Sequence, residues 1–178
     1  VTGAKGGKVR VWSWSRELLC EFAEHRKAVT ALVTDIKTPW LFHSCSLDGL
    51  VLTYDLRSEK RTVAHFEKRS SFTAMTQRKD SEHELITTNK AGYVMAWDCD
   101  IERAVMNFPD SRESLRTISL SSSGRFLAMA GNACLIKVYE VTNETIEVKP
   151  LEQIGTDALY TLFCTLKTQN SPFAVPAS

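Results

Sequence analysis

The sequence predicts an all-β chain assembled as a repeat array, and three observations lead there. Four aromatic residues, Trp12, Tyr54, Trp97 and Tyr139, recur at intervals of 42, 43 and 42 residues. A period near 40 residues marks a supersecondary unit copied in tandem. Each aromatic also closes a short stretch that alternates apolar with polar or small residues: Lys8-Val9-Arg10-Val11-Trp12, Leu50-Val51-Leu52-Thr53-Tyr54, Tyr93-Val94-Met95-Ala96-Trp97 and Leu135-Ile136-Lys137-Val138-Tyr139. Period-two alternation of this kind belongs to strands. Finally, no segment of useful length carries the helical period.

Between successive aromatics the strand signals fall in one order. Ala28 to Val33, Leu41 to Ser44, Leu50 to Tyr54 and Thr62 to Phe66 form a first complete unit, with Leu47-Asp48-Gly49 as a tight-turn signal. Phe72 to Thr76, Leu85 to Thr88, Tyr93 to Trp97 and Ala104 to Phe108 repeat it. Leu115 to Leu120, Phe126 to Ala130, Leu135 to Val141 and Ile146 to Val148 give a third. Val1 to Gly3, Lys8 to Trp12 and Leu18 to Phe22 supply the last three strands of a preceding unit, and Leu159 to Leu166 the first strand of a following one. The tail, with Pro172 and Pro176, loses the period and reads as loop or linker.

This pattern, with acidic Asp55, Asp98 and Glu140 after three of the aromatics, resembles the WD-repeat β-propeller family. The resemblance implies a partial propeller of about four blades of four-stranded antiparallel sheet. Its divisions are a partial blade at 1–22, blades at 23–66, 67–108 and 109–150, the start of a further blade at 151–166, and a linker at 167–178. Propellers carry about four to eight blades, so the 178 residues are expected to be a segment of a larger ring. Fold alone chooses no function.

In the family, a His before the first strand, a Ser or Thr in the second, an Asp in the next turn and the third-strand Trp tie a blade together. The matching residues are His25, Ser44, Asp48 and Tyr54. Tyr54 keeps an aromatic platform with a displaced polar tip, so a weaker network is expected there. The Asp position holds Gly6, Ala91 and Ala133 in the other units, which are expected to lack the polar set altogether. His, Ser and Asp together also invite a hydrolase triad reading. Their places in the repeat account for them better, and no Gly-x-Ser-x-Gly elbow presents a nucleophile.

Other chemistry is not indicated. Gly3-Ala4-Lys5-Gly6-Gly7 precedes a strand, where a phosphate-binding loop would open a helix. His25, His43, His65 and His83 lack metal-ligand spacing, and no cofactor or small-molecule substrate is expected. Cys20, Cys45, Cys99, Cys134 and Cys164 are odd in number and widely spaced, which fits buried thiols in a cytosolic protein better than a disulfide framework. A net charge of +1 gives no bulk argument for nucleic acid or membrane, and no apolar run approaches the roughly 18 residues of a membrane span.

One charge pattern goes beyond the family signature. Glu24-His25-Arg26, Glu67-Lys68-Arg69 and Asp110-Ser111-Arg112 stand 43 residues apart, before the first strand of successive units. In a propeller such loops lie side by side, so Arg26, Arg69 and Arg112 are expected to form an arc with Lys27 and Lys68, and with Lys5 and Lys90 from the adjoining turns. It would suit an acidic partner. Alternatively, each arginine pairs with the acid two residues before it or with one in the next blade, as an exposed salt bridge of little energetic weight.

Within the family, the opening Val1 to Trp12 with Glu24-His25, and Leu127 to Tyr139, look like blades of the cilia- and flagella-associated (axonemal) proteins. That resemblance implies a non-catalytic scaffold in the cytoplasm and cytoskeleton, seated on doublet microtubules of a cilium or flagellum axoneme, with tubulin and other axonemal proteins as partners. The alternative is a cytosolic WD-repeat adaptor or substrate-recognition scaffold of a ubiquitin ligase or trafficking complex.

Overall fold

The computed structural model describes residues 1–67, 71–78, 84–98, 104–109, 112–132, 136–141 and 149–150. All regular structure in them is strand, gathered in four antiparallel sheets that follow one another in chain order. The first has three strands, β1 (Thr2–Gly3), β2 (Val9–Trp12) and β3 (Leu18–Phe22). The second comprises β4 (Val29–Thr34), β5 (Leu41–Ser46), β6 (Leu50–Asp55) and β7 (Lys60–Phe66). The third comprises β8 (Phe72–Gln77), β9 (Glu84–Asn89), β10 (Tyr93–Asp98) and β11 (Ala104–Pro109). The fourth comprises β12 (Leu115–Leu120), β13 (Phe126–Gly131), β14 (Ile136–Glu140) and β15 (Lys149–Pro150). Each pairs its strands in simple sequence order, as the blades of a partial propeller do, and no closed ring forms among the described residues. The expected strands at Ile146 to Val148 and Leu159 to Leu166, and the expected linker at 167–178, lie outside them.

The repeat exists because each inner sheet buries both faces. In β6, Val51 joins Cys45 against Phe72, Leu85, Met95 and Trp97 of the third sheet, while Leu52 and Tyr54 pack back on Val9, Val11 and Phe22 of the first. In β10 the same division recurs one period later: Met95 and Trp97 face the second sheet, Val94 and Ala96 the fourth, where Leu115, Ile118, Leu127, Met129 and Tyr139 lie. Successive side chains of a strand point to opposite faces, so one pattern of apolar residues fills two seams. A fully buried side chain of this class contributes about 1.5–3 kcal/mol.

The aromatics hold equivalent places. Trp12, Tyr54 and Trp97 each mark a shift in register between the third and fourth strands of their unit. Tyr54, Trp97 and Tyr139 are buried in successive seams, whereas Trp12 is 42% exposed. Tyr54 lies between Phe22 and Phe42, at centroid distances of 4.5 and 4.9 Å. Trp97 meets the edge of Phe72 at 5.8 Å and a tilted His65 at 5.3 Å. The described cysteines, Cys20 and Cys45, are free thiols, and burial pushes Cys45 up to about 11.

Three turns repeat in detail. The amides of Gly7, Gly49 and Gly92 donate to the carbonyls of Ala4, Ser46 and Asn89, and all three glycines have φ between 84° and 87°. That left-handed backbone favours glycine. At Gly7 space decides as well, since a Cβ there would lie 2.2 Å from the His25 carbonyl oxygen.

Candidate functional site: a buried polar set beneath a basic rim

The β5–β6 turn carries Asp48 inward, beside the loop that leads into β4. Its carboxylate accepts the Arg26 amide at 2.7 Å and the Leu50 amide at 3.0 Å, and lies 3.2 Å from His25 Nδ1. With Nδ1–H donating to Asp48, His25 Nε2 is left as an acceptor, and the Ser44 hydroxyl donates to it at 2.7 Å. Burial lowers the His25 pKa against the opposing pull of Asp48. Burial alone would raise Asp48, but the two amides and His25 outweigh it and hold the carboxyl below its ordinary value. This is the connectivity of a Ser–His–Asp relay, yet Ser44 is fully buried and His25 nearly so. No substrate carbonyl reaches the hydroxyl in this arrangement.

Tyr54 stands outside the network. Its hydroxyl is buried and close enough to Ser44 to feel it, but makes no hydrogen bond of sound geometry. Burial chiefly pushes the phenol up to about 12.

The expectation that the other units lack the polar set altogether is corrected for the first and third sheets; Ala133 lies outside the described residues. Trp97 Nε1 donates to Thr87 Oγ1 at 2.8 Å, and Trp12 Nε1 to Thr2 Oγ1 at 2.8 Å; both threonines occupy the Ser44 position of their own units. Where Asp48 is replaced by Ala91, the Asn89 side chain takes over. Its Oδ1 accepts the amides of Ala91 at 2.9 Å and Tyr93 at 3.0 Å, and Tyr93 matches Leu50. An acceptor two residues upstream reaches the same backbone donors, because the tight turn folds back over it.

A second polar cluster escaped the sequence reading. Asp35, in the β4–β5 loop, accepts the amides of Lys37 at 3.0 Å and Thr38 at 2.6 Å, and the Gln77 side-chain amide at 2.8 Å. Gln77 Oε1 in turn accepts the Ile36 amide at 2.9 Å, so the end of β8 is clamped to a loop of the preceding sheet. His43, fully buried, lies 2.9 Å from Thr53 Oγ1 through Nδ1 and 3.4 Å from Asp35 through Nε2. Burial lowers its pKa, opposed by Asp35. The available signal was the interval of 42 residues between Asp35 and Gln77, one repeat, read across units.

Above the Asp48 turn the surface is basic. Lys5, Arg26, Lys27, Lys90 and Arg112 are exposed, and none forms an ion pair among the described residues. Of the two readings of Arg26, the local pair does not form: Glu24 binds Arg61 at 2.8 Å, across to β7, while Arg26 uses its backbone amide on Asp48. Lys68 and Arg69 lie outside the described residues. Other cations are held by acids, among them Lys8 and Arg10 by Glu21 at 2.6 and 2.7 Å and Arg125 by Glu140 at 2.7 Å. Among the described residues no three of His, Cys, Asp and Glu gather to hold a metal ion.

No family model matches the chain. A curated protein similar to it is ASTRA-associated protein 1 of Scheffersomyces stipitis, 22% identical over 125 residues. Those residues make up 70% of this chain, which spans 27% of the length of that relative.

Proposed function

We propose that this chain is a non-catalytic protein-interaction module of the cytoplasm, a scaffold segment that seats partner proteins in a larger assembly. The observation that carries this reading is the burial of His25, Ser44 and Asp48: the side chains best suited to acyl-transfer chemistry are spent on joining a loop, a strand and a turn. What the described surface offers instead is exposed side chains on repeated loops, which is how rigid scaffolds present binding groups. The similar protein is named for its association with ASTRA, which supports an adaptor role in general. The finer reading, an axonemal protein on doublet microtubules, rests on the sequence resemblance alone and gains no support from that relative.

The test is paired. Full-length chain purified from its own cells by two orthogonal steps is expected to elute with protein partners in fixed stoichiometry, and to show no ester or thioester hydrolysis that depends on Ser44. A chain that elutes alone and loses a hydrolytic activity on Ser44→Ala would overturn the proposal.

A further inference from the structure

The basic residues share one rim, and hydrogen bonds trace it. Gly7 lies against the carbonyls of His25 and Lys27, next to Lys5. The Ser46 hydroxyl donates to the Lys27 carbonyl, and the Leu47 amide to that of Ala28. The Ser71 hydroxyl then donates to the Leu47 carbonyl, and the Lys90 amide to that of Ser71. One repeat later the Asn132 amide donates to the Ser114 carbonyl, two residues beyond Arg112.

From this we infer that the rim bearing Lys5, Arg26, Lys27, Lys90 and Arg112 docks an acidic peptide segment of a partner protein. The inference rests on the scaffold reading above and names the chemistry of its partner. Local acids are fewer than the rim's five cations: Asp48 is buried in its own network and Glu24 is drawn to Arg61, so only Glu67 and Glu113 stand near them in sequence among the described residues. On the opposite rim the cations are matched one for one by neighbouring acids in the sequence, Arg16 by Glu17 and Lys60 by Glu59, and Arg57 lies 3.6 Å from Asp55. Phe66 and Tyr93, 58% and 39% exposed, stand at the strand ends on the basic rim and interleave apolar surface with charge. Arginine forks take carboxylates two oxygens at a time, and aromatic neighbours suit the apolar residues of such a peptide. A nucleic-acid domain would carry a stronger basic footprint, roughly pI 9 or more, than this chain's pI of about 7.8.

The probe is a fluorescent peptide of glutamates interleaved with phenylalanines, titrated with the full chain at low salt. A glutamine-for-glutamate version and a thymidine oligonucleotide serve as comparisons. The triple variant Lys5→Glu, Arg26→Glu, Arg112→Glu is expected to weaken the acidic peptide by about tenfold or more, and added salt to weaken the parent complex. The triple Arg16→Glu, Arg57→Glu, Lys60→Glu removes the same charge from the opposite rim and is expected to retain binding. Unaltered far-UV spectra and melts check folding; if the first triple fails them, the glutamine substitutions at the same positions replace it with the same expectation. No binding of the acidic peptide, equal loss in both triples, or tighter binding of the oligonucleotide sinks the inference. If the peptide fails while the chain still travels with stoichiometric protein partners, the rim assignment falls and the scaffold reading stands.

Discussion

In the β4–β7 sheet the amides of Asp48 and Leu50 go to the Ser46 hydroxyl and the Asp48 carboxylate, whereas in the β8–β11 sheet the matching amides, Ala91 and Tyr93, both go to Asn89. One turn is held by an anion braced by His25, the other by a neutral amide. The aromatic ties differ in the opposite sense. Trp97 is fastened to Thr87, while Tyr54 is not fastened to Ser44. The turn acceptor and the aromatic tie are therefore separable devices. Each sheet is complete in one place where the other is reduced: both give the turn amides an acceptor, while the aromatic's polar tip has a partner only at Trp97.

The largest break in this comparison is expected from Asp48→Ala. It strips an acceptor from the Arg26 and Leu50 amides and from His25 at once, a loss of about 3–5 kcal/mol in urea unfolding. Alanine already occupies that position harmlessly at Ala91, where Asn89 compensates. Adding Ser46→Asn to Asp48→Ala should therefore restore part of the loss, since the amide would be transplanted to the Asn89 position. A double variant no more stable than the single would show that the two turns are not interchangeable. Asn89→Ala should cost less, about 2 kcal/mol, because two amides and no imidazole lose their acceptor. Asn89→Asp keeps the accepting oxygen but exchanges a buried amide N–H for a charge, so it should also cost stability.

Acid should separate the sheets further, by a smaller and graded effect. His25 and His43 both titrate below the ordinary 6.5 because they are buried. As pH falls below 6.5, the unfolded chain takes up protons that the folded chain refuses, so stability drops. Asp35 and Asp48 are held below 3.8 and add a second loss in the same direction at lower pH. In the β8–β11 sheet the Thr87–Trp97 and Asn89 ties hold no titrating group. Hydrogen exchange measured as protection factors from neutral pH downward should find Leu50 and Arg26 weakening before Tyr93 and Ala91. Parallel loss in both pairs would mean that the histidine contacts do not set local stability.

The sheets were legible in the sequence because burial against two neighbours acts on the same strand positions in every copy; Val51 and Val94, or Leu52 and Met95, are chosen by the same seam geometry. The polar contacts were legible only where this sequence matches the residue types of the family it resembles, as His25, Ser44 and Asp48 do. Asn89 was invisible because a side chain can serve a turn from two residues away, and register does not encode its reach. The Asp35–Gln77 clamp joins different sheets, so a reading down each unit passes over it. The sequence left Glu24 open to pairing with Arg26, and it is found with Arg61, since sequence proximity in a loop does not decide which way a long side chain points.

The sharpest test of separability carries the smallest energy. Tyr54 buries a hydroxyl without a sound partner, which costs about 1–3 kcal/mol for a group of this kind. Its ring is held by Phe22 and Phe42, and those contacts survive removal of the oxygen. Tyr54→Phe is therefore expected to leave stability unchanged or raise it by up to about 1 kcal/mol, within the range for relieving an unpaired polar group. Trp97→Phe removes the indole N–H that Thr87 accepts and leaves a gap beside Phe72, so it should lower stability by more than about 1 kcal/mol. Thermal melts of the two phenylalanine variants should thus shift in different directions, although both substitutions fall at the same position of the repeat. A clear loss in Tyr54→Phe would place that hydroxyl back in the Ser44 network and make the two sheets variants of one device.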